Sequence, residues 1–266
     1  MEKYSKELKI LLDALREAGR EVMRVYEGEH EVEIKSDDSP ITKADRISHR
    51  ILSSRFSVFN HGIVSEEGED IYSERDLQWV IDPLDGTSDF IQKTGEFSLM
   101  VALLENKKPV LGSVYAPALD CLWYASQAQG AYLISSGTEK KISVSPHENL
   151  ANYRFVISRN HFREQDKAVA DSLGINSFKK MGSVGVKFCR IAQGDAELCV
   201  YTTDKLGVWD TCAPHIILKE AGGNVFDING GEPVYDLFGK KMKNGFIGTN
   251  GKNKDSVLAS IKDVIN

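Results

Sequence analysis

The sequence lacks the features that mark secreted, disulfide-stabilised and membrane-spanning proteins. Its 4 cysteines form no CxxC pair, so neither a disulfide framework nor a zinc ligand set is indicated. The longest apolar runs, such as residues 99–104, are far too short to cross a bilayer. The N-terminus, MEKYSKELK, has no apolar core of the kind that a secretory signal needs. We therefore expect a cytoplasmic protein without a membrane span, with peripheral membrane association left open.

Excess positive charge is also absent. A formal net charge of −6 disfavours binding to nucleic acid. The 266 residues suffice for one large domain or two modest ones, as a monomer or a homodimer, without a structural metal.

Hydrophobic periodicity predicts two halves of different architecture. Apolar residues at helical spacing predict an amphipathic helix over 3–26 and a second one from Thr42. Four β-like segments between 97 and 134 then predict an antiparallel meander. From about residue 140 strands and helices alternate, which is typical of a layered α/β unit. We predict an α+β half over 1–138 with most of the metal ligands, and an α/β half over 139–266 that completes the active site.

The segment WVIDPLDGTSDF, residues 79–90, is the most informative stretch. An apolar strand ends there in two aspartates, and the turn led by Pro83 would bring Asp82, Asp85 and the Leu84 carbonyl toward one point. Oxygen ligands of this kind suit Mg²⁺ or Mn²⁺. A helical turn that began at Gly86-Thr87 would aim its free N–H groups at the same point and could hold a phosphate oxygen. The alternative is an ordinary strand-to-turn corner, because Asp, Pro and Gly are common turn residues.

Other carboxylates have competing interpretations. Asp45 follows Thr42 in a T-x-x-D pattern that predicts a helix capping box. Glu66 and Glu67 end an apolar strand, where ligands are commonly fixed, although a charged loop follows. Asp210, just ahead of a helix expected from Cys212, is an N-cap candidate when taken alone.

Four motifs together resemble the lithium-sensitive inositol monophosphatase superfamily of metal-dependent phosphatases, in order and in spacing. They are SPITKAD at 39–45, SEE at 65–67, WVIDPLDGT at 79–87 and WDTCAP at 209–214. The resemblance covers nearly the whole chain and implies alternating layers of helices and sheets, αβαβα. Within the superfamily, ISRNH at 157–161 and KFC at 187–189 are most similar to the 3′(2′),5′-bisphosphate nucleotidases of the CysQ type.

The resemblance implies a role for each matching residue. Glu66, Asp82 and the Leu84 carbonyl would hold one Mg²⁺, and Asp82, Asp85 and Asp210 a second. Asp45 and Thr87 would orient or deprotonate the attacking water. Glu67 would support the site, with a third, weakly held Mg²⁺ beside it. Li⁺ would inhibit by competing for the cation near Asp85 and Asp210.

Recognition of the substrate is implied for both halves of the chain. Gly86, Thr87 and Asp210 would meet the reacting phosphate and its ester. The resemblance points to Ser158, His161, Ser183 and Lys187 for the second phosphate and the nucleoside. One departure stands out, because many bisphosphate nucleotidases carry an Arg where this chain has TTDK at 202–205. Lys205 is the candidate replacement, although a point charge does not reproduce a guanidinium fork.

The function implied is a Mg²⁺-dependent phosphatase that removes the 3′-phosphate of adenosine 3′,5′-bisphosphate, with Mn²⁺ as an alternative cation. This would recycle a by-product of sulfate assimilation. An inositol monophosphatase or a fructose-1,6-bisphosphatase relative is the alternative within the same chemistry. A non-catalytic nucleotide-binding regulator is the alternative from another class, which an intact set of metal and catalytic residues disfavours.

Overall fold

Helices and strands alternate along most of the chain in the computed structural model, which describes residues 3–28, 32–34, 40–72, 76–160 and 162–265. The helices are α1 Ser5–Glu27, α2 Lys43–Phe56, α3 Thr87–Ile91, α4 Glu164–Leu173, α5 Val184–Ala192, α6 Trp209–Glu220 and α7 Lys254–Ile265. The strands are β1 Val32–Ile34, β2 Pro40–Thr42, β3 Gly62–Ser65, β4 Leu77–Asp85, β5 Ser98–Glu105, β6 Lys108–Ala116, β7 Cys121–Ser126, β8 Gly130–Ser135, β9 Thr138–Ile142, β10 Arg154–Ser158, β11 Ser177–Met181, β12 Leu198–Tyr201, β13 Asn224–Phe226 and β14 Phe246–Thr249.

The larger sheet has seven strands in the order β3-β4-β5-β6-β7-β8-β9. Strands β3 and β4 are parallel, and each following pair is antiparallel. The predicted meander is therefore confirmed, with β9 as an additional strand. β9 is exposed along most of its length, so it has none of the apolar alternation on which a strand prediction depends. The predicted division after residue 138 falls at the start of β9 and stays a prediction.

The smaller sheet has five strands in the order β11-β10-β12-β14-β13. β10 pairs in parallel with β11 and β12, whereas β14 pairs antiparallel with β12 and β13. The sequence analysis missed β11 and β14. β11 is an edge strand with an exposed Phe178 and two lysines, and β14 is only four residues long. Neither gives a clear periodic signal.

Three hydrophobic cores stack the elements in five layers. Alternate residues of the large sheet face opposite ways: Ile81 packs with α1 and α2, and Val80 packs with α5 and α6. The small sheet covers the other face of α5 and α6 through Val156, and its outer face packs against α4 and α7 through Phe155. The order helices, sheet, helices, sheet, helices confirms the αβαβα layers that the resemblance implied.

The sequence analysis predicted a protein without a membrane span, and the helices in the described part of the chain bear on that prediction. No helix in it is both long enough and apolar enough to span a bilayer.

An ion-pair network joins the two sheets near α3. Asp89 is 2% exposed and accepts hydrogen bonds from Arg159 Nε at 3.0 Å and from Asn160 Nδ2 at 2.9 Å. Arg159 also pairs with Glu96, whose Oε2 accepts the Gly182 N–H at 2.9 Å. The loop that precedes α5 is thereby fixed against the loop that follows α3.

We expect Arg159→Ala to lower the free energy of unfolding by about 2 kcal/mol, because it leaves the buried Asp89 carboxylate short of a partner. Urea unfolding followed by circular dichroism measures the loss. Arg55→Ala is the matched control: Arg55 pairs with Glu17 at 3.2 Å on the surface, where such a pair contributes about 0.5 kcal/mol. Equal losses in the two variants would contradict the structural role of Arg159.

Candidate active site

An irregularity in β4 creates the first half of the site. The pairing of β4 with β5 is regular up to Asp82 opposite Met100, and it resumes with Asp85 opposite Ser98 after a register shift. Pro83 lies within the irregular segment, where the lack of an N–H donor costs no ladder hydrogen bond. Asp82 is 1% exposed, and its Oδ1 accepts the Leu84 N–H at 3.0 Å. A bulge, rather than a regular strand end, therefore presents the two aspartates.

Asp210 joins them from α6. One carboxylate oxygen each of Asp82, Asp85 and Asp210 lies within 4.8 Å of the others. Helix α6 begins at Trp209, so Asp210 lies in its first turn, and the expectation of an aspartate ahead of a helix from Cys212 is wrong. Its Oδ2 accepts the Gly207 N–H at 2.6 Å.

The second half of the chain also fixes Asp85. Its Oδ2 accepts a hydrogen bond from Ser183 Oγ at 2.5 Å and another from the Gly185 N–H at 2.9 Å. Ser183 has φ of 36°, a conformation unusual for a residue with a side chain. Its hydroxyl also caps α5 by accepting the Val186 N–H at 3.0 Å. These bonds offset the strain, and they occupy the hydroxyl for which the sequence analysis expected a substrate contact.

The cluster is electrostatically unfavourable without a cation. Burial, and then the charges of Glu66, Asp85 and Asp210, raise the pKa of Asp82 well above its usual range. Burial and neighbouring carboxylates raise the pKa of Asp210 to about 8, and burial also raises the pKa of Asp85. Asp82 Oδ2 is buried and has no hydrogen-bond donor within the described residues. An all-oxygen donor set with an unpartnered buried oxygen fits a hard divalent cation.

Glu66 lies at the edge of this group. It lines the same cavity as Asp85 and Asp210, and its charge contributes to the raised pKa of Asp82. Glu67, the next residue, is not part of that cavity's wall in the described structure.

Thr87 and Asp45 form a separate pair beside the carboxylates. Thr87 Oγ1 lies 3.3 Å from Asp45 Oδ1 and 3.2 Å from the Leu84 carbonyl oxygen. The other oxygen of Asp45 accepts the Thr42 N–H at 2.8 Å and the Thr42 hydroxyl at 2.7 Å. The predicted capping box is thus confirmed, and the same carboxylate also reaches Thr87. Burial raises the pKa of Asp45.

Gly86 lies where only glycine fits. Its φ is 87°, in the left-handed region, and it precedes α3 directly. A Cβ atom at this position would lie 3.2 Å from both the Glu96 carbonyl oxygen and the Ser183 nitrogen. A helical turn does begin after Gly86, as the sequence predicted.

Lys187 has a different environment from the one expected. It is 2% exposed, and its Nζ donates to the carbonyl oxygens of Gly182 at 2.6 Å, Ser183 at 2.8 Å and Met181 at 3.3 Å. Burial lowers its pKa. Three carbonyl acceptors use its three N–H groups, so a direct phosphate contact does not fit this geometry. Lys187 holds together the loop that carries Ser183.

One cavity of about 510 Å³ connects the acidic cluster to the second half of the chain. Asp85, Thr87 and Asp210 line it together with Ser158 and Lys187. His161, a predicted substrate contact, lies outside the described residues.

The sequence analysis missed several side chains in the cavity wall. Phe162, Arg163, Tyr201 and Thr203 line it together with the predicted residues. The only signal for Phe162 and Arg163 was their position directly after ISRNH, since neither residue belongs to that motif.

Comparison with known proteins gives consistent matches over most of the chain. A sequence model described as the inositol monophosphatase family matches residues 3–266. The 3′(2′),5′-bisphosphate nucleotidase CysQ of Salmonella typhimurium is 37% identical over 222 residues, which are 81% of this chain and 88% of that protein.

Solved structures match over nearly the full length. An IMPase from Thermotoga maritima has a TM-score of 0.83 at 28% identity, covering 98% of each chain. The CysQ of Bacteroides thetaiotaomicron, described as a bacterial member of the inositol monophosphatase family, has a TM-score of 0.77 at 26% identity. That match covers 94% of this chain and 98% of the other.

We expect Asp82→Asn to stabilise the protein in excess chelator at pH 8 by about 1–2 kcal/mol, or roughly 2–6 °C in melting temperature. The folded-state pKa of Asp82 is raised above its unfolded-state value. The contribution of Asp82 to wild-type stability is therefore fully present below the unfolded-state pKa and is lost as the pH rises toward the folded-state pKa. The advantage of the variant should therefore shrink toward pH 4. Differential scanning fluorimetry measures it.

Asp263→Asn, at the exposed end of α7, is the control and should leave the melting temperature unchanged. Added Mg²⁺ should raise the melting temperature of the wild type much more than that of Asp82→Asn. A metal-free Asp82→Asn protein less stable than the wild type at pH 8 would contradict the repulsion described above.

Proposed function

The chain belongs to the inositol monophosphatase family, a family of phosphatases, and we propose that it hydrolyses the 3′-phosphate of adenosine 3′,5′-bisphosphate to AMP and phosphate in a Mg²⁺-dependent reaction. The observation that carries the proposal is the group of three carboxylates within 4.8 Å of one another, two of which, Asp85 and Asp210, line a cavity that Phe162 and Arg163 also line. The CysQ relatives favour the nucleotide substrate over other phosphate esters.

The donor set suits two divalent cations. Glu66, Asp82 and the Leu84 carbonyl would hold one, and Asp82, Asp85 and Asp210 the other, with Mn²⁺ as an alternative to Mg²⁺. A third, weaker site would lie beside Glu67. When bound, such cations supply positive charge to the phosphate oxygens and lower the pKa of water.

Thr87 and Asp45 are suited to handle the proton of the attacking water. When Thr87 Oγ donates its hydrogen to Asp45 Oδ1, 3.3 Å away, its lone pairs can accept a hydrogen bond from that water. Asp45 is buried with a raised pKa, which brings it closer to the range in which a general base works well. Its other oxygen stays fixed by Thr42, so the carboxylate is oriented before substrate binds.

We expect different residues of the cavity wall to bind the reacting phosphate and the rest of the substrate. The backbone N–H groups of Gly86 and Thr87 would donate to oxygens of the reacting phosphate, beside Asp210. Ser158 and Phe162 also line the cavity, and Phe162 is 37% exposed. An aromatic surface of this kind suits a nucleobase better than a hydroxyl-rich sugar ring, since bases stack on aromatic rings.

Two alternatives remain to be tested against this proposal. An inositol monophosphatase or fructose-1,6-bisphosphatase activity would use the same acidic cluster, and the likeness to the Thermotoga maritima IMPase favours considering it. A non-catalytic regulator has less support, because Asp45 and Thr87 lie in hydrogen-bonding reach beside an assembled carboxylate cluster. A cytoplasmic role in sulfur metabolism belongs to the leading proposal.

A substrate panel tests the proposal directly. We expect kcat/KM for adenosine 3′,5′-bisphosphate to exceed that for inositol 1-phosphate and fructose 1,6-bisphosphate by at least about tenfold, because binding groups remote from the reacting phosphate set the preference. Phosphate release with Mg²⁺ present is the measurement. Asp82→Asn should lose several orders of magnitude on every substrate. A higher kcat/KM for inositol 1-phosphate, or full activity in excess chelator, would contradict the proposal.

Lithium gives a second test. We expect Li⁺ to inhibit at fixed Mg²⁺, because a small monovalent cation near Asp85 and Asp210 would supply too little charge for turnover. A titration of initial rates with LiCl, matched at each point by NaCl for ionic strength, measures the effect. Equal responses to the two salts would count against the predicted cation site.

A further inference from the structure

A substrate with two phosphates brings a second anion into the cavity, away from the carboxylate cluster. That anion needs a cationic partner there, because an unpaired buried charge is costly. Three cationic side chains line the cavity in the described part of the chain: Arg163, Lys187 and Lys205. They differ sharply in what their N–H groups already contact.

Lys187 is occupied, since three backbone carbonyls accept from its ammonium group. Lys205 is exposed and is a flexible point charge, so ordering it on a phosphate costs side-chain entropy. Arg163 differs from both because its side chain is already anchored.

Two side chains hold the guanidinium of Arg163. Its Nη2 donates to Asp166 Oδ1 at 3.1 Å and to Thr202 Oγ1 at 2.9 Å. The Arg163 backbone N–H also donates to Asp166 Oδ2 at 3.0 Å, which fixes the residue at the start of α4. The side chain keeps 34% of its surface exposed, whereas that of Asp166 keeps only 7%.

The anchored geometry leaves donors for a ligand. The Nε–H and both N–H groups of Nη1 have no acceptor among the residues that the structure describes, and Arg163 lines the cavity. Because Nη2 is engaged on both sides, the free Nε–H and Nη1 groups do not form a bidentate edge, but each can donate a single charge-assisted hydrogen bond to a phosphate oxygen. Because Thr202 and Asp166 hold the fork in advance, little side-chain entropy remains to be lost on binding.

We propose that Arg163 binds the phosphate of the substrate that is not hydrolysed, and that it thereby sets the preference for bisphosphates. The proposal rests on the proposed function and names the residue that recognises the second phosphate. It also gives Thr202 a role, because the segment at 202–205 contains no arginine and its threonine instead anchors a guanidinium that comes from another element. Asp166 offsets part of the positive charge of Arg163. We therefore expect the contact with the phosphate to lie at the lower end of the range for charge-assisted hydrogen bonds, which corresponds to about a tenfold change in affinity.

The test compares adenosine 3′,5′-bisphosphate with adenosine 3′-monophosphate, which lacks the second phosphate. The measured quantity is the ratio of kcat/KM for the two substrates in the wild type, Arg163→Ala, Arg163→Lys and Thr202→Val. We expect Arg163→Ala to lower the ratio about tenfold, mostly through KM for the bisphosphate. Arg163→Lys should fall between the wild type and Arg163→Ala, because a lysine keeps the charge but loses the anchoring contacts of the guanidinium with Asp166 and Thr202.

Thr202→Val keeps the arginine and the contacts at the start of α4, so it tests the anchor even if Arg163→Ala folds poorly. We expect it to lower the ratio about two- to fivefold, since only the ordering of the guanidinium is lost. Arg55→Ala, which removes a surface guanidinium paired with Glu17, is the matched control and should leave the ratio unchanged. Circular dichroism and melting temperature report on folding for all variants.

The possible outcomes distinguish the claim that Arg163 binds the second phosphate from the claim that the protein is a bisphosphate nucleotidase. A wild type that prefers the bisphosphate, with the same ratio in Arg163→Ala and Thr202→Val, overturns the role of Arg163 alone. Equal losses on both substrates in Arg163→Ala also overturn it, because they indicate a structural role. A wild type with no preference for the bisphosphate overturns the proposed function and the role of Arg163 together.

Discussion

Repulsion among buried carboxylates is the constraint on which the rest of this structure depends. Asp82, Asp85 and Asp210 come from a bulged strand and from the first turn of a helix far along the chain, and one oxygen of each lies within 4.8 Å of the others. Such a cluster is stable only if protons or a cation neutralise its charge, and only if the surrounding fold is rigid enough to hold the carboxylates together. The five-layer core supplies the rigidity, and an oxygen-only donor set suits the cation.

The second half of the chain contributes Asp210 to the carboxylate cluster and also contributes residues that hold Asp85 in place. Ser183 donates to Asp85 from a strained backbone conformation, and Lys187 binds the carbonyls around that loop. Arg159 ties the same loop to α3 through Glu96. Lys187 is close enough for its charge to act on Asp85, but its three N–H groups bind backbone carbonyls, so it has no donor to offer a substrate.

The sequence predicted the features that depend on local pattern. Helical periodicity located α1 and α2, alternation located the meander, and T-x-x-D predicted the capping box at Asp45. Features that depend on contacts between distant parts of the chain were harder to predict. Edge strands β9 and β11 carry mostly exposed residues, so they show no apolar alternation. The start of α6 was placed three residues late, because Asp210 was interpreted as a cap and not as part of the first turn. Whether a lysine faces a phosphate or three carbonyls depends on the tertiary fold, and the spacing around Lys187 could not reveal it.

Proton release on cation binding tests the central claim most directly. At pH 7 the raised pKa values of Asp82 and Asp210, the latter about 8, mean that a cation must displace protons from the cluster. Calorimetric titration with Mg²⁺ in buffers of different ionisation enthalpy counts those protons. The account predicts measurable release at pH 7 that declines above about pH 8 and is smaller in Asp210→Asn. Mg²⁺ binding without proton release, or binding that Asp210→Asn leaves unchanged, would contradict it.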